Sequence, residues 1–524
     1  MTLLSTLKQD FTAITADSRL VKSGALFLAY KGAQADGRDY IPQAIHAGAA
    51  AVVWDDDNFS WQPTWQVKNI GVNHLKTQVS DLAAEFYHYP SRYLNVIGVT
   101  GTNGKTSVSQ WLGQCLTFLG EKSAVIGTIG SGVLIAEKSA HEKPLSAFAN
   151  NANTFSVTQT YTGLSATNNT TPDAILLQAM LADFVQQQVT TVAMEVSSHG
   201  LDQARVNGVE FDIAVLTNLT HDHLDYHGTM QAYGDAKRKL LEWPNLKAAV
   251  INVDDAFGQQ VAAKIQADKK SVITYGFNAD ADVHASNLTL SQNGLSMQVT
   301  TPKGLANIKA NVLGRFNAEN ILAVLGALLA SDVSLENAVQ AIAHIESVQG
   351  RMQQVGGGDL PLVVIDYAHT PDALEKVLHS LKEQLQHTGK LICVFGCGGN
   401  RDAAKRPIMG DIARRIADTV VVTSDNPRFE NPQTIIAEIV GNHAAHFLIE
   451  ADREAAIAQA ISMAHARDIV LIAGKGHEDY QEIAGIKTPF SDIAVAIEKL
   501  NSFALSSEKL NGFSQTPFVK GESV

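Results

Sequence analysis

The segment Val96-Ile97-Gly98-Val99-Thr100-Gly101-Thr102-Asn103-Gly104-Lys105-Thr106-Ser107 places small residues, one lysine and adjacent hydroxyls in a spacing suited to a phosphate chain. Glycines let successive backbone N–H groups converge on an anion, and a helix opening at Lys105 adds the partial positive charge of its N-terminus. Lys105 can reach terminal phosphates, and the Thr106 hydroxyl suits Mg²⁺. Val99 stands where the general G-x-x-x-x-G-K-[ST] pattern has its first glycine, so the loop is a variant. Its expected ligand is a nucleoside triphosphate with Mg²⁺. Glu195 closes the apolar run TTVAM, at a strand's carboxyl end, where α/β sheets meet their ligands.

These residues need rigid elements beneath them. The phosphate loop follows an apolar run, Leu94–Thr100, and precedes a helical pattern from about Thr106. Further apolar runs (TTVAMEV, DIAVLTNL, AAVINVD) are each followed by polar loops or helical stretches, the rhythm of a parallel α/β sheet. From about Ser347 the rhythm repeats in PLVVIDYA, KLICVFGC, TVVVTSD and DIVLIAGK, which predicts a second doubly wound unit. Before Tyr89-Pro90-Ser91, a linker by its proline, short runs GALFLAY and AAAVVW flank a helix pattern over Ile41–Ala49. Three α/β domains result: 1–92, 93–346 and 347–524. Asn150–Asn169 reads as a mobile surface loop, and the polar tail after about Ser506 as disordered.

With 524 residues the chain exceeds one core. Its 45% hydrophobic and 18% charged residues fit a globular protein, and a net charge of −13 argues against a nucleic-acid partner. Neither a signal peptide nor a bilayer-length apolar run is present, and Ile321–Ala330 is too short to span one. The expectation is a cytoplasmic protein without membrane insertion, its three cysteines (Cys115, Cys393, Cys397) reduced.

TGTNGKTS is more specific than a generic phosphate loop and resembles the signature of the Mur ligases. The likeness continues in order through NTTPD, MEVSSHGLDQARV, TNLTHDHLDYHG, YGDAKRKLLEW, LGRFNAENILA, GRM, DYAHTPDAL, GCGGNRDAAKRPIM, TSDNPR and GKGHEDYQ. With DSR at Asp17–Arg19 and DGRDY at Asp36–Tyr40 it covers essentially the whole chain. The resemblance implies three domains: an N-terminal UDP-binding domain, a central P-loop-type ATPase domain with a parallel sheet, and a C-terminal Rossmann-like domain. It also implies an ATP-dependent amide ligase of cytoplasmic peptidoglycan precursor synthesis, working through an acyl phosphate with Mg²⁺ and acting as a monomer on small-molecule substrates. Those substrates would be ATP, meso-diaminopimelate and UDP-N-acetylmuramoyl-L-alanyl-D-glutamate.

Residue by residue, the resemblance makes Lys105, Glu195, His223 and Lys237 catalytic. It places Thr106, Glu195, His223 and Lys237 at the metal, the last as a carbamate (N6-carboxylysine). Carbamylation requires an uncharged amine first, hence a lowered pKa. Asn317, Asn320, Arg351, Asp366 and His369 would join the phosphate loop around ATP. Ser18 would lie near the uridine, and Thr170, Thr171, Ser197, Gln203 and Arg205 along the muramoyl-dipeptide, their hydroxyls and guanidinium donating to its oxygens. His199 is a candidate near the transferring phosphate or a structural residue. Arg401, Asp425, Asn426, Pro427, Arg428, Gly474 and Glu478 would hold diaminopimelate, Arg428 gripping the second carboxylate that lysine lacks. Phe429 departs from the small polar residue common there. Alternatives are a lysine-adding or other ligase of the superfamily, and a non-catalytic regulatory homologue.

Overall fold

The computed structural model describes residues 3–32, 35–137, 160–167, 169–291, 294–385 and 389–512, without the side chains of Glu137, Thr160 and 504–512. Among the described residues three sheets organise the chain. The first is parallel, in the order Ala13–Thr15, Ala25–Ala29, Ala51–Asp55, Lys68–Val72. Its central strand Ala25–Ala29 is wholly buried, as expected when both faces carry helices or loops.

The second sheet is ten-stranded. Its centre is Asn95–Thr100, flanked by parallel strands Thr191–Glu195 and Ile213–Leu216. Beyond these lie Ser123–Ile126 on one side, and Ala248–Asn252 and Val272–Gly276 on the other. The chain crosses to one side of the central strand and later to the other, so the carboxyl end of Asn95–Thr100 is a topological switch point. Helix Lys105–Phe118 opens there, with eleven of its residues buried between the sheet and helix Arg315–Ala330. One edge carries an antiparallel arm of Val283–Ser291, Gly294–Thr301 and Gly304–Ala310, which the parallel-sheet expectation lacked. At the other edge Ser131–Val133 is antiparallel too.

The third sheet runs Gln353–Gly356, Leu362–Asp366, Ile469–Ala473, Leu391–Phe395, Thr419–Val422, Leu448–Ile449. It is parallel except for the first strand. Apolar side chains from both faces feed separate cores, so these strands read as unbroken hydrophobic runs.

Three local expectations change. Tyr89-Pro90-Ser91 enters a packed 3₁₀ turn, Pro90–Tyr93, in which Ser91 accepts the Glu210 N–H at 3.0 Å. Thr160–Thr162 pairs with Ile135–Glu137, so that end of the expected 150–169 loop is a strand, and residues 150–159 and 168 lie outside the described residues. The last helix, Asp492–Gly512, continues past the point where a tail was expected, and 513–524 lie outside the described residues. All three cysteines are buried and unpaired. No helix among the described residues is long and apolar enough to cross a membrane.

Candidate active site

Gly104 caps the phosphate-loop helix in a left-handed conformation (φ 86°) that a side chain would strain, and its open side faces the Asn320 amide oxygen. Lys105 turns back on its own loop, donating to the Gly101 and Thr102 carbonyls at 2.8 and 2.9 Å. The loop is braced from the next strand: Asn218 Oδ1 accepts the Asn103 N–H (3.0 Å), and Asn218 N–H groups and carbonyl bond the loop in return. Ser107 is buried behind it.

Glu195 is 1% exposed. It accepts the Thr106 hydroxyl at 3.0 Å, the Thr128 N–H at 2.7 Å and the Thr128 hydroxyl at 3.1 Å. Helix Met230–Leu241 carries Lys237 inward, also 1% exposed. Its ammonium donates to the Gly101 carbonyl at 2.7 Å and lies 4.4 Å from the Tyr233 ring centre. Burial, reinforced by Lys105, holds its pKa well below the ordinary lysine value, against an opposing pull from Asp222. This is the environment a carbamylated lysine requires.

His223 is half-exposed, in a left-handed conformation, with Nε2 3.4 Å from Asp222. Its ring lies 4.9 Å from that of His199, which also contacts Tyr226 and His227. Burial lowers the His199 pKa, followed by His223, His227 and Arg205. Hard-oxygen donors Thr106 and Glu195 fit Mg²⁺. Among the described residues, however, no three His, Cys, Asp or Glu side chains form a ready metal cluster. An ammonium cannot ligate, so carbamylation of Lys237 is what would add oxygens.

Around helix Ser198–Asp202, Ser197 is the N-cap and accepts the Gly200 N–H at 3.1 Å. Thr171 is fully buried, bonding the Glu195 carbonyl, Ser197 Oγ and Ser197 N. Its hydroxyl is bonded to the scaffold. Arg205 donates to the Thr171 carbonyl (2.8 Å) and, through Nε and Nη2, to Gln203 Oε1. Ser18 sits apart, opening the 3₁₀ turn Ser18–Leu20 and donating to Gln43 of helix Ile41–His46 at 3.2 Å. Tyr30, just past strand Ala25–Ala29, links the two regions: burial raises its pKa first, then Asp173, with Arg205 opposing.

Of the residues expected on the interdomain side of ATP, Asn317 and Asn320 are buried and bonded in series, Asn320 to Asn317 (3.0 Å) and Asn317 to the Leu313 carbonyl (2.8 Å). Asp366 spends both oxygens on the Met352 and Ala368 N–H groups, each at 2.8 Å, so it shapes its own loops. Arg351 stacks on Tyr367 (4.7 Å), and His369 and His477 border the same ring. Asp372, from the third sheet's first helix, reaches Asn103 (3.3 Å) and Thr220 (3.4 Å), tying that sheet to the phosphate loop.

At the carboxyl ends of the third sheet, Asn426 donates to Glu478 (2.8 Å) and accepts from Lys475 (2.9 Å). Glu482 N–H also donates to Asn426 (2.9 Å). Burial raises the Glu478 pKa, with Lys475 opposing. Gly474 (φ 115°) passes close to Asp425. Arg428 follows Pro427 in a left-handed conformation, donating Nη1 to the Gly399 carbonyl (2.8 Å), with Nε 3.5 Å from Glu482. Arg401 is exposed, beside Gly398 and near Arg428.

Three family models match: Mur ligase family, catalytic domain, over 10–87; Mur ligase middle domain over 99–328; and Mur ligase, glutamate ligase domain, over 350–476. A UDP-N-acetylmuramoyl-L-alanyl-D-glutamate–2,6-diaminopimelate ligase of Chromobacterium violaceum is 50% identical over 503 residues, 96% of each chain. The chain belongs to the Mur ligase family. A ligase of the same name from Neisseria meningitidis serogroup A is 48% identical, covering 93% of this chain and 94% of its own. A solved structure of a ligase so named superposes with a TM-score of 0.68 at 34% identity, over 95% of this chain and 96% of the other. MurF from Thermotoga maritima in complex with ADP (TM-score 0.59, 18% identity, 97% and 100% coverage) shares the fold.

In this Mur ligase the site includes residues that sequence reasoning did not single out. Thr128 holds Glu195, Asp372 meets the phosphate loop, and Lys475 is fully buried in the Asn426–Glu478 cluster. Arg453 and Asp492, each fully buried, form a 2.7 Å ion pair. Arg453 also donates to the Ser424 and Ala473 carbonyls, fixing the two strand ends that flank the Asn426–Glu478 cluster. Lys475 stood within GKGHEDYQ. Asp372 likewise stood within DYAHTPDAL; Thr128, Arg453 and Asp492 became visible only when distant segments met.

Proposed function

We propose that this ligase joins meso-2,6-diaminopimelate to the D-glutamate carboxylate of UDP-N-acetylmuramoyl-L-alanyl-D-glutamate, consuming ATP, as a cytoplasmic monomer. End-to-end identity near one half with ligases bearing that name carries the reading. Lys105 and the loop N–H groups from Gly101 to Ser107 bind the triphosphate, with Asn317, Asn320, Arg351, Asp366 and His369 arranged around the nucleotide. The Lys237 amine adds to CO₂, forming an N–C bond and releasing a proton. Thr106, Glu195, His223 and the resulting carbamate would hold Mg²⁺, whose charge offsets the repulsion between two anionic reactants.

Ser18 lies at the uridine end, and Thr170, Thr171, Ser197, Gln203 and Arg205 line the muramoyl-dipeptide and so set the position of its carboxylate. That carboxylate attacks the terminal phosphorus, and ADP leaves. The free amine of diaminopimelate then attacks the acyl phosphate, and inorganic phosphate departs. Asn426 and Glu478 receive the amino acid's zwitterionic end with Arg401, while Arg428 takes the distal carboxylate. Enclosure by elements of the second and third sheets excludes water that would hydrolyse the acyl phosphate.

Phosphate release with ATP and the UDP-dipeptide, with diaminopimelate or L-lysine added in turn, tests this. Dependence on diaminopimelate alone is expected. Equal dependence on lysine would sink the specificity, and dependence on neither would favour a regulatory protein.

A further inference from the structure

Thr128 lies in the turn between strands Ser123–Ile126 and Ser131–Val133. The turn is stitched to the segment leading into Thr170: the Thr167 hydroxyl donates to the Gly127 carbonyl (2.8 Å), and Ser131 and Ser165 exchange backbone bonds at 2.9 Å. Gly127 has no room for a side chain, because a Cβ there would meet Glu195. The turn therefore packs directly against the Glu195 carboxylate.

Its backbone N–H donates to Glu195 Oε1 (2.7 Å) and its hydroxyl contacts both Glu195 Oε2 (3.1 Å) and the Thr170 hydroxyl (3.0 Å). A carboxylate has only acceptor sites and a hydroxyl only one proton. The Thr128 proton is therefore spent on Glu195, which obliges Thr170 to donate to Thr128. Thr170 then has lone pairs, and no proton, left to offer a ligand. With Glu195 at the metal, as proposed above, the reacting end of the substrate faces the metal and its peptide lies beside Thr170.

We propose that Thr128 is a positioning residue coupling Glu195 to the substrate loop, and that it fixes Thr170 as an acceptor for an amide N–H of the dipeptide. This reverses the donor role expected of Thr170 from sequence, and it rests on the assignments of Glu195 and Thr170 above.

Thr128→Val keeps the backbone bond and deletes the hydroxyl; Thr128→Ser keeps both. The valine variant should bind the UDP-dipeptide about five- to tenfold more weakly by calorimetry, the scale of one hydrogen bond. It should also need more Mg²⁺ for half-maximal binding of a fluorescent ATP analogue, with serine restoring both. Wild-type values in a folded, valine-substituted ligase would overturn the coupling. Should that variant melt early, Thr128→Ala is read the same way.

The polarity is tested on wild type and Thr170→Val with UDP-substrates carrying an ester in place of each amide in turn. One ester should bind about fivefold more weakly to wild type and show no loss in Thr170→Val. Equal losses in both proteins, or none in either, would overturn it. A wild-type enzyme that releases no diaminopimelate-dependent phosphate would instead defeat the underlying reading.

Discussion

Lys105 and Lys237 aim their ammonium groups at one oxygen, the Gly101 carbonyl, from 2.8 and 2.7 Å. Two cations sharing one acceptor in a site largely closed to solvent disfavour each other's charge. Both lysines have lowered pKa values, chiefly through burial, and Lys105 adds to the depression at Lys237. The amine that gives way is available for CO₂.

Lys237→Ala should therefore lose at least about a hundredfold in turnover, the scale of electrostatic groups at a reacting centre. Lys239→Ala should stay near wild type, because Lys239 is half-exposed and only 3.6 Å-paired with Asp202. Labelled CO₂ should give a carbamate carbon signal in wild type that Lys237→Ala lacks. Equal activity of the two variants would remove the assignment.

Arg428→Ala should raise the KM for diaminopimelate about ten- to a hundredfold and leave that for ATP almost unchanged. The guanidinium is held to the Gly399 carbonyl through Nη1, with Nε 3.5 Å from Glu482, which leaves Nη2 for a substrate carboxylate. Steady-state kinetics with each substrate varied in turn decides this, and unchanged KM values for both would refute the role.

Arg453→Met strands the Asp492 carboxylate where neither partner has any exposure. Breaking such a pair costs about 3–5 kcal/mol, and replacing both partners by apolar residues recovers much of it. Thermal unfolding should show a marked loss for Arg453→Met and partial recovery with Asp492→Leu added. No difference between the single and double variants would mean that the pair is not the cause.

Burial, joined by repulsion from Arg351, pulls the His477 pKa from 6.5 down to about 4. Below pH 6.5 the unfolded chain takes up a proton here that the folded chain refuses until about pH 4, so stability falls as pH drops through that window. His477→Gln should show a shallower decline in melting temperature between pH 6.5 and 4. Parallel declines would show that another group carries the effect.

The buried strands were legible because parallel strands covered on both faces must be apolar throughout, as in LVVID and IVLIA. The antiparallel arm was not: Val283–Ser291 mixes polar and apolar positions around a register shift between Ser286 and Thr289, which breaks the alternation that marks a strand. Within the site, Lys105, Glu195 and Lys237 were found because their motifs are local. Thr128 was missed because its partner Glu195 lies 67 residues away; Asp372 stood within DYAHTPDAL, but its contact to Asn103, 269 residues away, was invisible there. For Thr171 the motif named the residue, and the fold adds that its hydroxyl bonds the Ser197 turn.

The three buried cysteines leave the surface free of native thiols. Burial pushes Cys393 and Cys397 up to about 12, and Cys115 up as well. At neutral pH none carries the thiolate that maleimides attack. Fluorophores can thus be attached through cysteines introduced on the first sheet and on helix Pro432–Val440, with the native three left in place. The distance between those elements could then be followed, molecule by molecule, as each substrate arrives.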